Sequence, residues 1–81
     1  MDLLNKELVA KTLYAQYASE EKMFWLLSKQ SVQESSIGNN EEAKALNIER
    51  KLVHAKMQAI NETRVHLGIS DHQWETVSLA F

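Results

Sequence analysis

The sequence contains no cysteine, no proline and only two glycines among its 81 residues. Without cysteine, the chain has neither a disulfide framework nor a thiolate metal site, which are common supports of a domain this small. No apolar run approaches the roughly 18 residues that a membrane span requires, and the first residues lack the charged-then-apolar layout of a signal peptide. We therefore expect a cytoplasmic protein without a membrane partner.

An excess of charge of one sign is also missing. Nine Lys and Arg residues against eleven Asp and Glu residues give a formal net charge of −2. Proteins that bind duplex nucleic acid carry a strongly basic surface, so we expect no duplex partner. Apolar residues make up 44% of the chain, which is typical of a folded protein, and the length predicts a single domain over residues 1–81.

Helical patterns fill the segments between the two glycines, Gly38 and Gly68. Apolar residues recur at spacings of three, four and seven, and no useful stretch alternates as a strand does. We predict an all-α fold, an antiparallel hairpin of two long helices plus a short C-terminal helix. The expected segments are a helix over about 2–32, a loop over about 33–39, a helix over about 40–67 and a short helix over about 71–79.

Local signals mark several of the predicted helix ends. Asn39 is a suitable N-cap for the second helix, and Ser70 with Gln73 matches the capping box of a third helix. Gly68 suits the left-handed position that follows a helix C-terminus. The motif Ser31–Glu34 also matches a capping box, which leaves open whether the first helix ends there.

The apolar residues of the second helix cover a wide arc. Leu46, Val53, Ile60 and Leu67 repeat every seven residues and define one continuous seam. Neighbouring apolar residues widen the arc to about 200°, which is more than one partner helix covers. In the first helix, the five consecutive apolar residues Met23–Leu27 point in every radial direction. Because the hairpin is also elongated, we expect a homo-oligomeric helical bundle in which other copies cover this surface.

Polar residues interrupt the apolar pattern of the second helix. Glu49 and Lys56 fall close to the centre of the seam, and Arg64 lies on its edge. One interpretation pairs these charges across an oligomer interface, where they set the register. The other places Lys56 or Arg64 against an anionic ligand held between subunits.

Two groups in the first helix suit nucleotide binding. Glu21 lies in an aromatic stripe, which is either protein core or a surface on which planar bases stack; Tyr14 and Tyr17 precede it, and Phe24 and Trp25 follow it. Lys29 and Ser31 supply an ammonium group and a hydroxyl, which suit a phosphate unless both are solvated loop residues.

No catalytic or metal-binding pattern occurs in the sequence. The three His residues do not form a recognisable site, and the chain contains no Glu-x-x-His pair, no glycine-rich phosphate loop and no cysteine nucleophile. We therefore expect neither an enzyme nor a metal or other cofactor.

One segment of the second helix carries a family resemblance. Residues 51–61 read Lys-Leu-Val-His-Ala-Lys-Met-Gln-Ala-Ile-Asn. This is similar to the signature of a phage hairpin family that includes the anti-CBASS cyclic-oligonucleotide sponge and a Thoeris antagonist, roughly Lys-Leu-Glu-x-Ala-x-Met-Trp-Ala-x-Asn. Val53 and Gln58 stand where that family prefers Glu and Trp.

The resemblance implies a ligand site between protomers. Lys29 follows Tyr14 by fifteen residues and Ser31 follows Lys29 by two, which is the spacing of the family's dinucleotide pocket. By this resemblance Tyr14 stacks on a base while Lys29 and Ser31 hold the phosphate. The family also has a second site, for a cyclic trinucleotide, to which Lys44 or Arg50 corresponds.

Two functions follow as hypotheses. The leading one is a phage-encoded anti-defence sponge that sequesters cyclic di- or oligonucleotide messengers in the host cytoplasm without cleaving them. The alternative is a small helical interaction module, an inhibitor or adaptor, in which a host protein covers Met23–Leu27 and the seam at Glu49 and Lys56.

Overall fold

A computed structural model describes residues 3–81, and the predicted start of the first helix near residue 2 lies outside them. The three helices are α1 (Leu3–Ser36), α2 (Asn40–His66) and α3 (Asp71–Ser78), and the described residues contain no strand. A tight turn over 37–39 makes α1 and α2 antiparallel neighbours, and α3 packs against α1. The predicted all-α hairpin with a short third helix is confirmed, while its assembly into an oligomer stays a prediction.

The first helix continues beyond its expected end near residue 32. It reaches Ser36, so the motif Ser31–Glu34 does not start a new helix. The helix ends where Gly38 takes φ +82°, a conformation that glycine adopts without steric cost. The N–H of Asn39 then donates to the carbonyl of Glu34 at 2.8 Å. This closure satisfies a carbonyl of the last turn and shortens the predicted loop.

The predicted caps of α2 and α3 can be compared with the hydrogen bonds at the ends of these helices. At α3, the N–H of Gln73 donates to the Ser70 hydroxyl at 3.1 Å and the N–H of Ser70 donates to the Gln73 side chain at 3.0 Å, which confirms the capping box. Gly68 has φ +74° after α2, as predicted. Asn39 is the N-cap residue of α2, as predicted, but its side chain makes no capping bond, and its amide donates to the Glu34 carboxylate at 2.9 Å.

The molecule is elongated, with extents of 53 × 22 × 15 Å. Its radius of gyration is 15.9 Å, against about 12 Å for a compact chain of this length. Two small clusters of buried side chains lie along it. One contains Ala10, Ile69 and Val77, and the other contains Leu27, Val53 and Met57. None of the described helices combines the length and apolar character needed to cross a membrane.

The face of α2 that meets α1 is rotated from the predicted seam. Its buried residues are Ala43, Val53, Met57 and Arg64. Of the predicted seam, Val53 is buried, Leu46 and Ile60 are half-buried, and Leu67 is 36% exposed. Glu49 and Lys56, predicted near its centre, are exposed. The wide apolar arc permitted several orientations, and packing against α1 selected this one. Within one chain Glu49 and Lys56 therefore lie outside the helix interface, and their pairing between subunits stays a prediction.

Arg64 attaches α3 to the hairpin. Its side chain is buried, and Nη1 donates to the carbonyl of Ile69 at 3.2 Å and to the Asp71 carboxylate at 2.8 Å. Nε donates to the Asn61 side chain at 2.9 Å, and the guanidinium carbon lies 5.4 Å from the centroid of a ring of Trp74. These bonds give Arg64 a structural role at the base of α3.

Candidate functional site

A groove of about 730 Å³ lies between α1 and α2 next to the turn. Its walls combine serine hydroxyls, asparagine amides and two cations, with no carboxylate. The lining residues are Ser28, Ser31, Val32, Ser35, Ser36, Asn40, Ala43, Lys44, Asn47 and Arg50. Hydrogen-bond donors and positive charge without competing acids suit an anion. The structure thus brings together three of the predicted site residues, Ser31, Lys44 and Arg50.

Arg50 has one side of its guanidinium without a hydrogen-bond partner. The guanidinium carbon lies 5.6 Å from the centroid of the Phe24 ring, a cation–π distance. Its Nε is buried, and among the described residues it is the one buried side-chain nitrogen or oxygen without a hydrogen-bond partner. A buried donor left unpaired costs about 1–3 kcal/mol, so a shift of the Arg50 side chain that brings this donor to a bound acceptor would recover free energy.

Ser31 lies on the floor of the groove. Its side chain is buried, and its hydroxyl donates across the hairpin to the carbonyl of Ala43 at 3.3 Å. That distance is long for a bond between two oxygens, which is usually about 2.7–2.8 Å. The hydroxyl therefore serves first as a contact between the two helices, and exchanging this weak bond for one to a ligand costs little.

The groove continues along the same side of the hairpin. Arg50 also borders a depression of about 220 Å³ together with Phe24, Lys51 and His54. His54 in turn borders a depression of about 330 Å³, whose other lining residues are Tyr17, Met57, Gln58, Asn61 and Glu62. A row of polar and aromatic side chains therefore connects the cationic groove near the turn with Tyr17.

Tyr17 belongs both to this row and to an aromatic cluster under α3. Its ring centroid lies 5.9 Å from that of Tyr14 and 5.8 Å from that of Trp74. Partial burial raises the pKa of Tyr17 above its ordinary value, and the nearby charges of Glu21 and Tyr14 raise that pKa further. The hydroxyl is therefore protonated at neutral pH and is available as a donor.

Tyr14 packs mainly as part of the protein core. Its ring centroid lies 5.0 Å from that of Trp74 in an edge-on arrangement and 5.2 Å from that of Phe81. It also contacts the buried cluster that contains Ala10. These contacts favour the core interpretation of Tyr14 within one chain, although the side chain stays half-exposed.

One chain does not bring Tyr14, Lys29 and Ser31 together. Seventeen residues separate Tyr14 from Ser31 on α1, which is about 25 Å at 1.5 Å per residue. Lys29 is exposed and does not line the groove. A ligand that touches both ends of this trio therefore requires two chains.

Sequence reasoning missed several groove residues. His54 belongs to none of the predicted sites, yet its ring centroid lies 5.7 Å from that of Phe24 and it borders the depression next to Arg50. Ser28 and Ser35 also line the groove with Ser31. Their spacing of three and four residues is a helical stripe of hydroxyls, so periodicity applied to polar residues would have found it.

The fold and the groove define a class of structure, a two-helix hairpin with a docked third helix and a cation-lined cleft. Within the described part of the chain, no three His, Asp or Glu side chains are grouped to hold a metal ion. No protein family, curated protein or solved structure matches the chain. The resemblance of residues 51–61 to the phage hairpin family stays a prediction.

Proposed function

We propose that this protein binds a cyclic nucleotide in its groove and holds the ligand without cleaving it, acting as a sponge. The observation that carries the proposal is the groove itself, in which Arg50, whose Nε has no hydrogen-bond partner, lies together with Lys44 among hydroxyls and amides and, within the described residues, without a carboxylate. Phosphodiester oxygens accept charge-assisted hydrogen bonds from a guanidinium. Lys44 lines the groove and Lys51 lines the neighbouring depression, so both add positive charge beside Arg50.

Aromatic side chains along the groove suit the bases of such a ligand. Phe24 borders the depression next to Arg50, and Tyr17 borders the following one. Stacking of a base on an aromatic side chain contributes about 1–3 kcal/mol. The protonated hydroxyl of Tyr17 can also donate to an acceptor on a base. The groove offers donors for a phosphate near the turn and aromatic side chains for bases further along, and this combination favours a nucleotide over a simple anion.

The groove hydroxyls favour storage of the ligand over hydrolysis. Ser28 donates to the carbonyl of Phe24 at 2.8 Å and Ser36 donates to the carbonyl of Gln33 at 2.8 Å. Ser31 donates to the carbonyl of Ala43. A serine nucleophile needs a general base to take its proton, whereas these protons are directed at backbone carbonyls. We therefore expect the bound nucleotide to be released unchanged.

A second copy of the chain would complete the site. Tyr14, Ala18, Trp25 and Lys29 share one flank of α1, at spacings of four, seven and four residues. This pattern is symmetric, so two antiparallel α1 helices would place Tyr14 beside Lys29 of the second copy and Ala18 beside Trp25. Trp25 is 64% exposed in the single chain, and such a contact would cover it.

The motif at residues 51–61 extends the proposal to the biological role. By its likeness to the phage hairpin family, we propose a phage-encoded protein that withdraws a cyclic nucleotide messenger from a defence system of the host. The ligand site of this proposal comprises Arg50, Lys44 and Ser31 from one chain. Tyr14 from the second copy then lies near Lys29.

Calorimetry with a panel of cyclic di- and trinucleotides tests the proposal. We expect at least one to bind at micromolar concentration or below, and a linear dinucleotide of the same bases to bind more weakly. Chromatography of the ligand after release from denatured protein should show the unchanged compound. If the folded protein binds no member of the panel, the proposal is wrong. If the ligand is released cleaved, sequestration is the part that fails.

A protein-interaction module is the second candidate. It is favoured by the exposed side chains of Met23, Trp25 and Leu26, which lie together on α1. Light scattering of the purified protein with and without host lysate separates the candidates. A homo-oligomer of constant mass that binds a cyclic nucleotide supports the sponge. A stoichiometric complex with one host protein, in the absence of nucleotide binding, supports the module.

A further inference from the structure

The outward face of α2 carries a second apolar stripe that none of the described residues covers. It consists of Ala45, Ile48, Leu52, Ala55 and Ala59, all of which are exposed. The two large members, Ile48 and Leu52, are 62% and 60% exposed. The spacings of three, four, three and four residues are those of the a and d positions of a coiled coil. We call these five residues the outer stripe.

The opposite face of the same heptad repeat meets α1. Ala43, Met57 and Arg64 are buried and Arg50 is half-buried, and these four residues follow one another at intervals of seven. They occupy the f position when the outer stripe occupies a and d. The helix therefore presents two faces on opposite sides, of which one packs within the chain and the other is free to bind a separate helix.

The outer stripe is complementary in size to an antiparallel copy of itself. A two-fold axis midway between Leu52 and Ala55 places Leu52 opposite Ala55 of the second copy, and Ile48 opposite Ala59. The same axis places Ala45 opposite Glu62. Each large apolar side chain of the stripe then meets a small one, so the two helices can approach evenly along the stripe. A parallel pair would instead place Leu52 against Leu52 and Ala55 against Ala55, which separates the helices at one layer and leaves a gap at the next.

Charges beside the stripe favour the same register. The antiparallel arrangement places Glu49 beside Lys56 of the second copy, and the symmetry repeats this pair. At the ends it places Glu41 opposite His66. A parallel pair would place Lys44 beside Glu49, which attract each other, but Lys51 beside Lys56, which repel each other. In the single chain Glu49 and Lys56 are exposed, and so both are accessible to a partner.

We propose that the outer stripe of α2 is a self-association surface, which binds the outer stripe of a second copy in antiparallel orientation with Glu49 and Lys56 paired across the interface. None of the five stripe residues lines the nucleotide groove. The interface therefore does not depend on the proposed ligand, and either proposal can fail without the other. The register of this interface is set by the pairing of large with small side chains at the stripe positions and by the pairing of Glu49 with Lys56.

Charge reversal tests the interface. Glu49→Lys places two lysines opposite each other, and Lys56→Glu places two glutamates opposite each other. We expect each single substitution to raise the dissociation constant of the oligomer at least tenfold in sedimentation equilibrium. The double variant Glu49→Lys with Lys56→Glu restores both pairs, and its association should return to within about threefold of the original. Glu75→Lys, on the exposed surface of α3, is the control for the change in net charge.

Mixing the two single variants separates the antiparallel arrangement from a parallel one. In the mixture, the lysine introduced at position 49 of the first variant faces the glutamate introduced at position 56 of the second. Lys56 of the first variant faces Glu49 of the second. The mixture should therefore associate more strongly than either variant alone. A parallel interface predicts no such recovery, because there the neighbours of positions 49 and 56 are Lys44 and Lys51.

Circular dichroism shows whether each variant is folded, and these surface positions should leave helicity unchanged. A further variant, Leu52→Glu, introduces charge at the centre of the stripe and should lower the mass of the oligomer to that of a smaller species. The proposal is overturned if the original protein is monomeric at a concentration of about 100 μM. It is also overturned if both charge reversals and Leu52→Glu leave the oligomer unchanged.

Discussion

The buried guanidinium of Arg64 donates to the carboxylate of Asp71 at 2.8 Å, and the side chain of Asp71 is 96% exposed. The two partners therefore differ in their importance. Water screens the carboxylate, so the ion pair by itself contributes little. The value of Arg64 lies in its other bonds, to the Ile69 carbonyl and the Asn61 side chain, and in its contact with Trp74.

The first prediction compares these two residues. Arg64→Ala should lower the free energy of unfolding by about 2–4 kcal/mol, because it leaves buried acceptors unpaired and opens the contact with α3. Asp71→Asn should have a much smaller effect. Urea unfolding followed by circular dichroism measures both. Equal losses for the two variants would show that the ion pair, and not the buried bonds, holds α3.

The second prediction concerns the unpaired donor of Arg50. Arg50→Gln should weaken binding of the cyclic nucleotide by about 10–100-fold, since it removes charge-assisted bonds of about 1.5–3 kcal/mol. The affinity of Arg50→Lys should fall between those of the original protein and Arg50→Gln, because lysine retains the charge and loses the planar set of donors. Calorimetry gives the affinities.

Lys11→Gln is the matched control for these variants. Lys11 is an exposed cation on α1 that lies 3.5 Å from Glu7 and away from the groove near the turn. Its replacement removes one positive charge and should leave the affinity within twofold of the original. If Lys11→Gln weakens binding as much as Arg50→Gln, the effect of Arg50 reflects overall charge and the groove is not the site.

The third prediction concerns the residues that a second copy would bring together. Lys29→Ala and Tyr14→Leu should each weaken cyclic nucleotide binding by about 1–3 kcal/mol, through a lost phosphate contact and lost stacking respectively. Leucine retains apolar contact with Trp74, and thermal unfolding shows whether α3 stays docked. Unchanged affinity in both variants, with Arg50→Gln impaired, would confine the ligand to the groove of one chain.

The fourth prediction concerns the ionisation of Tyr17. Its pKa is raised above the ordinary value of 10.0, first by burial and then by the charges of Glu21 and Tyr14. Because the folded protein favours the neutral phenol, this contribution to stability is complete below pH 10 and is lost as the pH rises through the raised pKa. Ultraviolet titration of the phenols should show a tyrosine that ionises above the ordinary range, and Tyr17→Phe should remove that step.

Glu21→Gln checks the cause of that shift. Removing the carboxylate charge should lower the pKa of Tyr17 part of the way towards its ordinary value, and burial should keep it raised. The loss of stability should then begin at a correspondingly lower pH. If the substitution leaves the titration unchanged, Glu21 does not act on the phenol. A return to the ordinary value would mean that burial contributes little.

The sequence by itself determined the helical class, the elongated shape and the end of α2 at Gly68, whereas the end of α1 was predicted near residue 32, four residues before its end at Ser36. The capping box of Ser70 with Gln73 was predictable for the same reason. All of these features depend on backbone conformation and on hydrogen bonds between residues a few positions apart. The alternative helix start at Ser31 failed because the hydroxyl of Ser31 bonds to α2, which is distant in sequence.

Only the tertiary structure decided which face of α2 meets α1. An apolar arc of about 200° permits several orientations of similar burial, and the packed one buries Arg64 while leaving Glu49 exposed. The same choice places Arg50 over Phe24 with its Nε unpaired and leaves the outer stripe uncovered. Periodicity defines which residues share a face, but the face that is buried depends on contacts between helices, and the candidate site depends on that choice.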